Sequence, residues 1–258
     1  MSDSSTLTLE NRPHPPAVHL RIVLVEPQGC RNLGAVARVM QNMGLGELVL
    51  VNPRCDPAAE EARQMAVHAQ GILARAKIVP SLAVALADCQ RTMGTLGRSQ
   101  NPPPEWHIGE VRQELPWLLG AERGALVFGP EDRGLTNQEL SLCQRQVTIP
   151  THPAHPSLNL AQAVGICAYE LWQARRHAPA PVGPQVSHGE QEEFFQHLQG
   201  FLLEIGYLQP QTARRKMQKF RALFHRAQPS PREVALLRGI LRQWQWYTRH
   251  TLDLEQEK

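Results

Sequence analysis

Two short aliphatic runs near the start of the chain flank a stretch with helical periodicity. The runs LRIVLV at 20–25 and ELVLV at 47–51 are each followed by a proline within two residues. Between them, five apolar residues recur with the 3.6-residue period of a helix: Ala35, Val36, Val39, Met40 and Met43. Gly44, directly after the last of these residues, predicts the end of the helix. A strand, a helix and a second strand in this order predict a parallel sheet in an α/β protein.

Further apolar runs predict four more strands of the same sheet. They lie at 77–79, 92–96, 125–128 and 146–149. Helical segments are predicted at 57–74, 81–88, 136–144 and about 158–175. Thr136 and Glu139 have the spacing of a capping box, which predicts the start of one of these helices. Residues 19–176 therefore predict one α/β domain with a mostly parallel sheet.

The two ends of the chain differ from this pattern. Residues 1–18 are rich in Ser, Thr and Pro and predict a mobile tail, and residues 177–189 contain three prolines and predict a linker. Residues 190–258 predict a small all-α module with amphipathic helices at 190–205 and 211–226. A third helix is predicted to begin at Ser230, because a serine N-cap, a proline in the first turn and a glutamate three residues on agree there.

Aromatic and basic residues are concentrated in the predicted helical module. It contains nine of the fourteen aromatic residues, and we expect most of them to form its core, since so small a module needs large side chains. The whole chain has 27 Lys and Arg against 24 Asp and Glu, but residues 206–250 have ten basic residues against one acid, Glu233. This excess predicts a polyanionic partner, with a merely solvated cationic surface as the alternative.

Several classes of protein are disfavoured by the composition. No window approaches 18 consecutive apolar residues, which disfavours a membrane-spanning protein. The first residues lack a basic stretch followed by a continuous apolar stretch, which disfavours a secretory signal. The five cysteines include no C-x-x-C pair, which disfavours a disulfide framework or a zinc site and indicates reduced thiols in a cytoplasmic protein. They are Cys30, Cys55, Cys89, Cys143 and Cys167. His152 and His155 lie in a proline-rich loop without further ligands, so no metal is expected.

Three loop regions follow predicted strands, where an open α/β sheet places its ligands. They are EPQGCRNLGAVAR at 26–38, GTLGRS at 94–99 together with FGPEDRGL at 128–135, and IPTHPAHPSLNLAQA at 149–163. No G-x-G-x-x-G follows the first strand, and neither a Walker A sequence nor a G-x-S-x-G occurs. Dinucleotide-binding, P-loop and hydrolase functions are therefore disfavoured.

Three motifs in these loops resemble those of one enzyme family. N-x-G-A-x-x-R at 32–38, G-x-E-x-x-G-L at 129–135 and S-L-N-L-A at 157–161 are similar, in order and spacing, to the motifs of the SpoU branch of the SPOUT methyltransferases. RIVLVEP and the late segments FRALFHRA and LRGIL resemble the TrmJ-type tRNA ribose 2′-O-methyltransferases of that branch. The resemblance covers about residues 20–244, and the loop at 101–116 departs from it.

This resemblance implies a fold and an activity. The fold is an α/β sheet with a C-terminal trefoil knot, in a protein that acts as a homodimer. The activity is S-adenosylmethionine-dependent methylation of a ribose 2′-hydroxyl in tRNA, at cytidine or uridine 32 of the anticodon loop. The alternatives are a ribose methyltransferase for another tRNA or rRNA site, and a non-catalytic RNA-binding protein that keeps the fold.

The resemblance also implies site residues by motif position. The cofactor pocket falls on eight residues: Thr95, Leu96, Gly97, Gly129, Ile149, Pro156, Ser157 and Leu158. The positions near the target ribose are Asn32, Arg38, Glu131, Ser157 and Asn159. The module that we expect to hold tRNA presents five cations on its second helix: Arg214, Arg215, Lys216, Lys219 and Arg221.

The roles of these residues follow from their chemistry. A guanidinium with a pKa above about 12 is a poor base, so we expect Arg38 to hold the phosphate beside the target ribose and to stabilise the developing alkoxide. Glu131 either orients Arg38 across the subunit interface or holds a loop. Ser157 either caps the long helix or contacts the ribose. Asn159 is expected to fix the backbone at the start of that helix.

Overall fold

The computed structural model describes residues 19–97, 102, 106–175 and 185–256, with side chains described through residue 248. The predicted N-terminal tail and most of the predicted linker lie outside these ranges, as do Arg98 and Ser99 of the second loop region.

Seven strands of the described chain form one sheet in which every pair is parallel. They are β1 (His19–Val25), β2 (Glu47–Val51), β3 (Lys77–Val79), β4 (Arg91–Thr95), β5 (Ile108–Glu110), β6 (Arg123–Phe128) and β7 (Arg145–Thr148). Their order across the sheet is β3-β2-β1-β6-β4-β7-β5. The predicted parallel α/β fold is confirmed.

Helices cover both faces of this sheet. They are α1 (Cys30–Asn42), α2 (Glu60–Ala66), α3 (Gln70–Ala74), α4 (Leu82–Leu86), α5 (Val111–Leu118), α6 (Asn137–Leu140) and α7 (Leu160–Arg175). Successive strand residues point to opposite faces, so Ile22 and Leu24 join the core under α1 and α7, whereas Val23 and Val25 join the core under α4. Burial on both faces explains why the strands are continuous apolar runs.

Two segments differ from the sequence prediction. The helical segment predicted at 57–74 is interrupted, since it consists of α2, a 3-10 turn at Val67–Ala69, and α3. Val67 has a φ of 53°, a conformation that a β-branched residue rarely adopts and that the apolar pattern does not reveal. The segment 101–116 contains β5 and the start of α5, which no pattern predicted because β5 has a single aliphatic side chain, Ile108, and so forms no apolar run.

Three longer helices follow the sheet: α8 (His188–Glu204), α9 (Pro210–Ala227) and α10 (Pro231–Gln256). A capping box between Ser187 and Glu190 begins α8, and Pro210 occupies the first turn of α9. These helices share a separate core that includes Phe194, Phe195 and Phe201. All five phenylalanines of this part belong to that core, as expected, whereas its two tryptophans and two tyrosines are exposed.

The helical part is bonded directly to the sheet. The amides of His188 and Gly189 donate to the carbonyl oxygens of Cys89 and Ala87, at 2.7 and 2.8 Å. A Cβ atom on Gly189 would lie 2.9 Å from the Ala87 oxygen, so glycine permits this close approach. The side chain of Arg91 also donates to Gln185 at 3.1 Å. Residues 185–189, the described end of the predicted linker, are therefore held against the sheet.

Across the described ranges, no helix has both the length and the apolar character that crossing a membrane requires. All five cysteines are free thiols, and all but Cys30 are buried.

Two buried histidines lie at the junction between the helical part and the sheet. His188 is 1% exposed, and neither of its ring nitrogens has a hydrogen-bond partner among the described residues. His225 is 8% exposed and packs edge-on against Phe195. Burial lowers the pKa of His188 to about 4, and burial together with the proximity of His188 and Arg221 lowers the pKa of His225 to about 3. Both rings are therefore neutral in the folded protein at pH 7.

We predict that acid destabilises the folded chain through these histidines. Their pKa values are 6.5 in the unfolded chain and about 4 and about 3 in the folded chain. Above pH 6.5 both states hold the rings neutral, and the free energy of unfolding has its full value. As the pH falls from 6.5 towards the lower pKa values, only the unfolded chain binds the protons, so the free energy of unfolding decreases. His188→Leu should reduce the loss of unfolding free energy between pH 7.5 and pH 5, measured by urea unfolding. The exposed His68→Leu variant is the control, and an equal pH dependence in both variants would contradict the prediction.

Candidate active site

An open cleft with a volume of about 870 Å³ lies at the carboxyl ends of β4, β6 and β7, beside the start of α7. All eight residues predicted for the cofactor pocket line it: Thr95, Leu96, Gly97, Gly129, Ile149, Pro156, Ser157 and Leu158. The second and third loop regions of the sequence therefore meet in space, although 50 residues or more of chain separate β4 from the start of α7.

The loop after β6 requires glycine for its shape. A Cβ atom on Gly129 would lie 2.2 Å from the carbonyl carbon of Gly134 and 2.3 Å from the amide nitrogen of Leu135. Gly134 itself has a φ of 68°, and its amide donates to the carbonyl oxygen of Pro130 at 2.9 Å. The chain thus folds back on itself at the wall of the cleft, and no side chain fits at position 129.

The floor of the cleft is fixed by bonds between the strand ends. The hydroxyl of Thr95 donates to the carbonyl oxygen of Val127 at 3.0 Å, and the amide of Leu96 donates to the carbonyl oxygen of Val147 at 2.8 Å. The half-buried side chains of Leu96, Ile149 and Leu158 give this floor an apolar surface. Such a surface, surrounded by backbone polar groups, suits a flat heteroaromatic ligand.

One carboxylate connects the first loop region to the cleft. Glu131 accepts hydrogen bonds from the backbone amides of Gln28 and Gly29, at 3.0 and 3.1 Å, and from the side-chain amide of Asn32 at 2.9 Å. Burial by itself would raise the pKa of the Glu131 carboxyl, but these hydrogen bonds outweigh it and lower the pKa. The group is therefore ionised at neutral pH and acts as an acceptor that holds the loop.

The same network extends to the start of α7. Asn159 donates from its side chain to the Oδ1 atom of Asn32 at 2.9 Å. Its own Oδ1 atom accepts from the amide of Ala161 at 2.9 Å, and Gln162 accepts from the Asn159 amide at 3.3 Å, so Asn159 caps the helix. Asn159 rather than Ser157 is thus the cap, and Ser157 is an exposed residue of the cleft lining.

Arg38 lies apart from this network. It is exposed on α1, six residues or about 1.7 turns after Asn32, and so on a different side of the helix. Within the described residues it has no hydrogen bond or ion pair, and it does not line the cleft. In a single chain, Glu131 therefore contacts the loop at Gln28 and Gly29 and does not contact Arg38.

The predicted RNA-binding cations lie on α9 in two different environments. Arg214, Arg215, Lys216 and Lys219 are exposed, and Arg214 reaches Gln138 of α6 at 2.9 Å. Arg221 instead forms an ion pair with Glu192 of α8 and stacks on the ring of Phe195 at 4.5 Å. The Arg221 guanidinium thus fastens α9 to α8.

Some residues of the cleft were not predicted from the motifs. Arg133 lines it and is held by Glu139 at 2.9 Å, and Pro150 and Thr151 line it from the third loop region. All three lie within the loop regions that follow predicted strands, and this position in the sequence is the signal that could have identified them. In the described ranges, no group of three His, Cys, Asp or Glu side chains is placed to hold a metal ion.

Comparisons with known proteins agree with this geometry. Residues 19–169 match the SpoU rRNA Methylase family, and residues 189–256 match the C-terminal domain of the tRNA methyltransferase TrmJ. The tRNA (cytidine/uridine-2′-O-)-methyltransferase TrmJ of Pectobacterium atrosepticum is 42% identical over 234 residues, which cover 86% of this chain and 95% of the relative. The protein of the same name from Klebsiella pneumoniae is 40% identical, with the same coverage.

A solved structure shares the fold over most of its length. The crystal structure of TrmJ from Z. mobilis ZM4 superposes with a TM-score of 0.79 at 31% sequence identity, and the match covers 89% of this chain and 100% of that chain. The resemblance found in the three motifs is thereby confirmed. The chain belongs to the SpoU rRNA Methylase family and, within it, to the TrmJ proteins.

Proposed function

We propose that this protein is an S-adenosylmethionine-dependent tRNA ribose 2′-O-methyltransferase that modifies cytidine or uridine 32 of the anticodon loop, in the cytoplasm and as a homodimer. The observation that carries the proposal is the meeting of all eight expected cofactor residues in one cleft, beside the network of Glu131, Asn32 and Asn159. The names of its relatives, which are tRNA (cytidine/uridine-2′-O-)-methyltransferases, support the substrate class.

The cleft has the features that S-adenosylmethionine requires. Leu96 and Ile149 offer apolar surface for the adenine ring, and the strand-end backbone around Gly97 and Gly129 offers hydrogen-bonding groups close to a ligand. When bound, the cofactor supplies an electrophilic methyl group on a sulfonium. The protein's part is to align the ribose oxygen with that group, which contributes to catalysis through orientation.

We assign Ser157 and Arg38 to the target nucleotide. Ser157 is exposed in the cleft and is not needed as a helix cap, so its hydroxyl is available to the ribose. Arg38 holds the adjacent phosphate and stabilises the developing alkoxide. Because Arg38 lies outside the cleft of its own chain, we place it at the cleft of the second copy in the homodimer. Exposed Ile166 and Tyr169 on α7, which packs against α1, supply an apolar surface for that pairing.

We assign the two parts of the chain to two tasks. Residues 19–176 bind the cofactor and carry out the transfer, and residues 190–258 hold the tRNA. Four exposed cations of α9 form the proposed RNA surface: Arg214, Arg215, Lys216 and Lys219. Arg221 is left out of this surface because Glu192 already neutralises its charge. The trefoil knot stays a prediction of the family resemblance.

Mapping of ribose methylation tests the proposed function directly. Purified protein is incubated with S-adenosylmethionine and with unmodified tRNA or rRNA fragments, and 2′-O-methyl groups are located by their resistance to alkaline cleavage. The expected product carries one new methyl group at position 32 of tRNA. A product at another tRNA position or in rRNA would overturn the target assignment, and cofactor binding without any product would overturn the enzymatic one.

We predict that Arg38→Lys lowers kcat by roughly 100-fold, the scale of removing one oxyanion donor, because a lysine keeps the charge but loses the planar pair of donors. The dissociation constant for S-adenosylmethionine and the melting temperature should not change, since Arg38 has no partner in the described chain and lies outside the cleft. Arg63→Lys, on exposed α2 surface, is the matched control. Near-normal turnover of the Arg38 variant would contradict the assigned role.

We predict that charge removal on α9 weakens tRNA binding in a salt-dependent manner. Arg215 and Lys219 are exposed and have no partner among the described residues, so their conversion to Gln should leave stability intact. The slope of log K against log salt concentration should become shallower by roughly two units, one for each phosphate that the variant no longer binds. Lys77→Gln on the edge strand β3 is the control, and an unchanged slope for the double variant would count against this surface.

A further inference from the structure

A second cavity of about 270 Å³ separates the start of β7 from α9. Gln144, Arg145 and Gln146 line it from the sheet, and Gln218, Arg221 and His225 line it from the helix. None of these residues lines the cleft at the carboxyl ends of the strands. The cavity is therefore a separate feature of the junction between the sheet and the helical part.

The lining of this cavity contains positively charged side chains. Arg145, Arg221 and Arg226 all contribute to it, and no carboxylate does. Glu114 and Glu192 pair with Arg145 and Arg221 from outside the lining and neutralise their charges. Arg226 is exposed and has no ion-pair partner in the described chain. The cavity therefore favours an anionic group, which Arg226 at its exposed side is placed to meet.

A buried histidine that lines the same cavity has no hydrogen-bond partner. His225 is 8% exposed, and its ring, which lines the cavity, forms no hydrogen bond among the residues that are described. Burial and the proximity of His188 and Arg221 lower the pKa of His225 to about 3, so the ring is neutral. A neutral imidazole offers one donor and one acceptor. A ligand that pairs with it needs complementary groups of both kinds.

The other lining groups offer further contacts of this kind. Gln218 is half-buried beside His225, and its amide, which has no partner in the described ranges, offers donors and an acceptor. Trp106 is half-buried in the lining and presents an aromatic surface. A planar heterocycle with donors and acceptors on its edge, joined to a phosphate, matches this combination of an indole, an imidazole, an amide and an arginine.

We propose that this cavity binds one nucleotide of the RNA substrate, other than the nucleotide that is methylated. The base contacts His225 and Gln218, and its phosphate lies at Arg226. The inference rests on the proposed function, which supplies an RNA substrate. β7 connects the two sites: Arg145 lines the cavity and Ile149 lines the cleft, four residues later and about 13 Å away along an extended strand. One RNA chain spans this distance, so both sites can be filled by the same molecule.

Filling the cavity with a side chain tests the proposal on the full-length enzyme. Ala222 is half-buried in its lining, and Ala227 lies five residues further along α9, exposed and outside the lining. Ala222→Phe should raise KM for tRNA by about tenfold, the scale expected when one base is no longer bound, without changing kcat or the dissociation constant for S-adenosylmethionine. Ala227→Phe should match the wild type. Equal KM values for the two variants, both folded by circular dichroism, would overturn the proposal.

A variant that removes a polar group without adding bulk keeps the test valid if Ala222→Phe fails to fold. Gln218→Leu removes an amide that has no partner in the described chain, so it should raise KM for tRNA in the same way while the melting temperature holds. A KM equal to that of the wild type would overturn the role of Gln218 in the cavity.

A titration that needs no methylation separates this proposal from the proposed function. The wild-type chain is titrated with AMP, CMP, GMP and UMP, and with inorganic phosphate, while the ring signals of His225 are followed by NMR. At least one nucleotide should shift these signals, and phosphate alone should not. A shift with phosphate alone, or none with any nucleotide, would overturn the nucleotide site. An enzyme that binds nucleotides here but methylates no RNA would leave the cavity assignment standing and refute the proposed function.

Discussion

The cleft depends on the hydrogen bonds that the Glu131 carboxylate accepts. They join the loop after β6 to the start of α1, and Asn32 extends them to Asn159 at the start of α7. The bonded side chains are 99 and 127 residues apart along the chain, so they tie together parts that no local interaction could align. An ionised carboxylate with a lowered pKa is well suited to hold three donors in a half-buried position.

The distribution of charge follows the division of the chain between a sheet and three helices. The cleft is built from strand ends, glycines and apolar side chains, and it needs little net charge to hold a ligand. The excess of arginine and lysine lies on α9 and α10, and four cations of α9 face solvent. Arg221 and Arg226 of α9 line the cavity at the junction, together with Arg145 of β7. In the two proposals made above, the exposed cations of α9 and the cavity each give an RNA a point of contact.

Much of the fold was predictable because its signals are local. The strand-helix-strand unit from β1 to β2 follows from aliphatic runs and a 3.6-residue period, and the helix starts at Thr136 and Ser230 follow from capping residues. The break at Val67 and the edge strand β5 were not predictable. The left-handed conformation of Val67 has no counterpart in the apolar pattern, and β5 is a strand only because β7 lies beside it.

The sequence by itself determined the parallel α/β class, the separate basic helices and, through its resemblance to a known family, eight of the residues that line the cleft. Periodicity, capping residues and motif spacing are properties of neighbouring residues, so they can be recognised in the sequence without a structure. Only the tertiary structure decided that Glu131 holds a loop, that Asn159 caps α7, that Arg221 serves packing, and that Arg38 stands outside its own cleft. These roles depend on which distant segments meet and on which side chains find a partner there, because hydrogen bonds and ion pairs between remote residues leave no periodic trace in the chain.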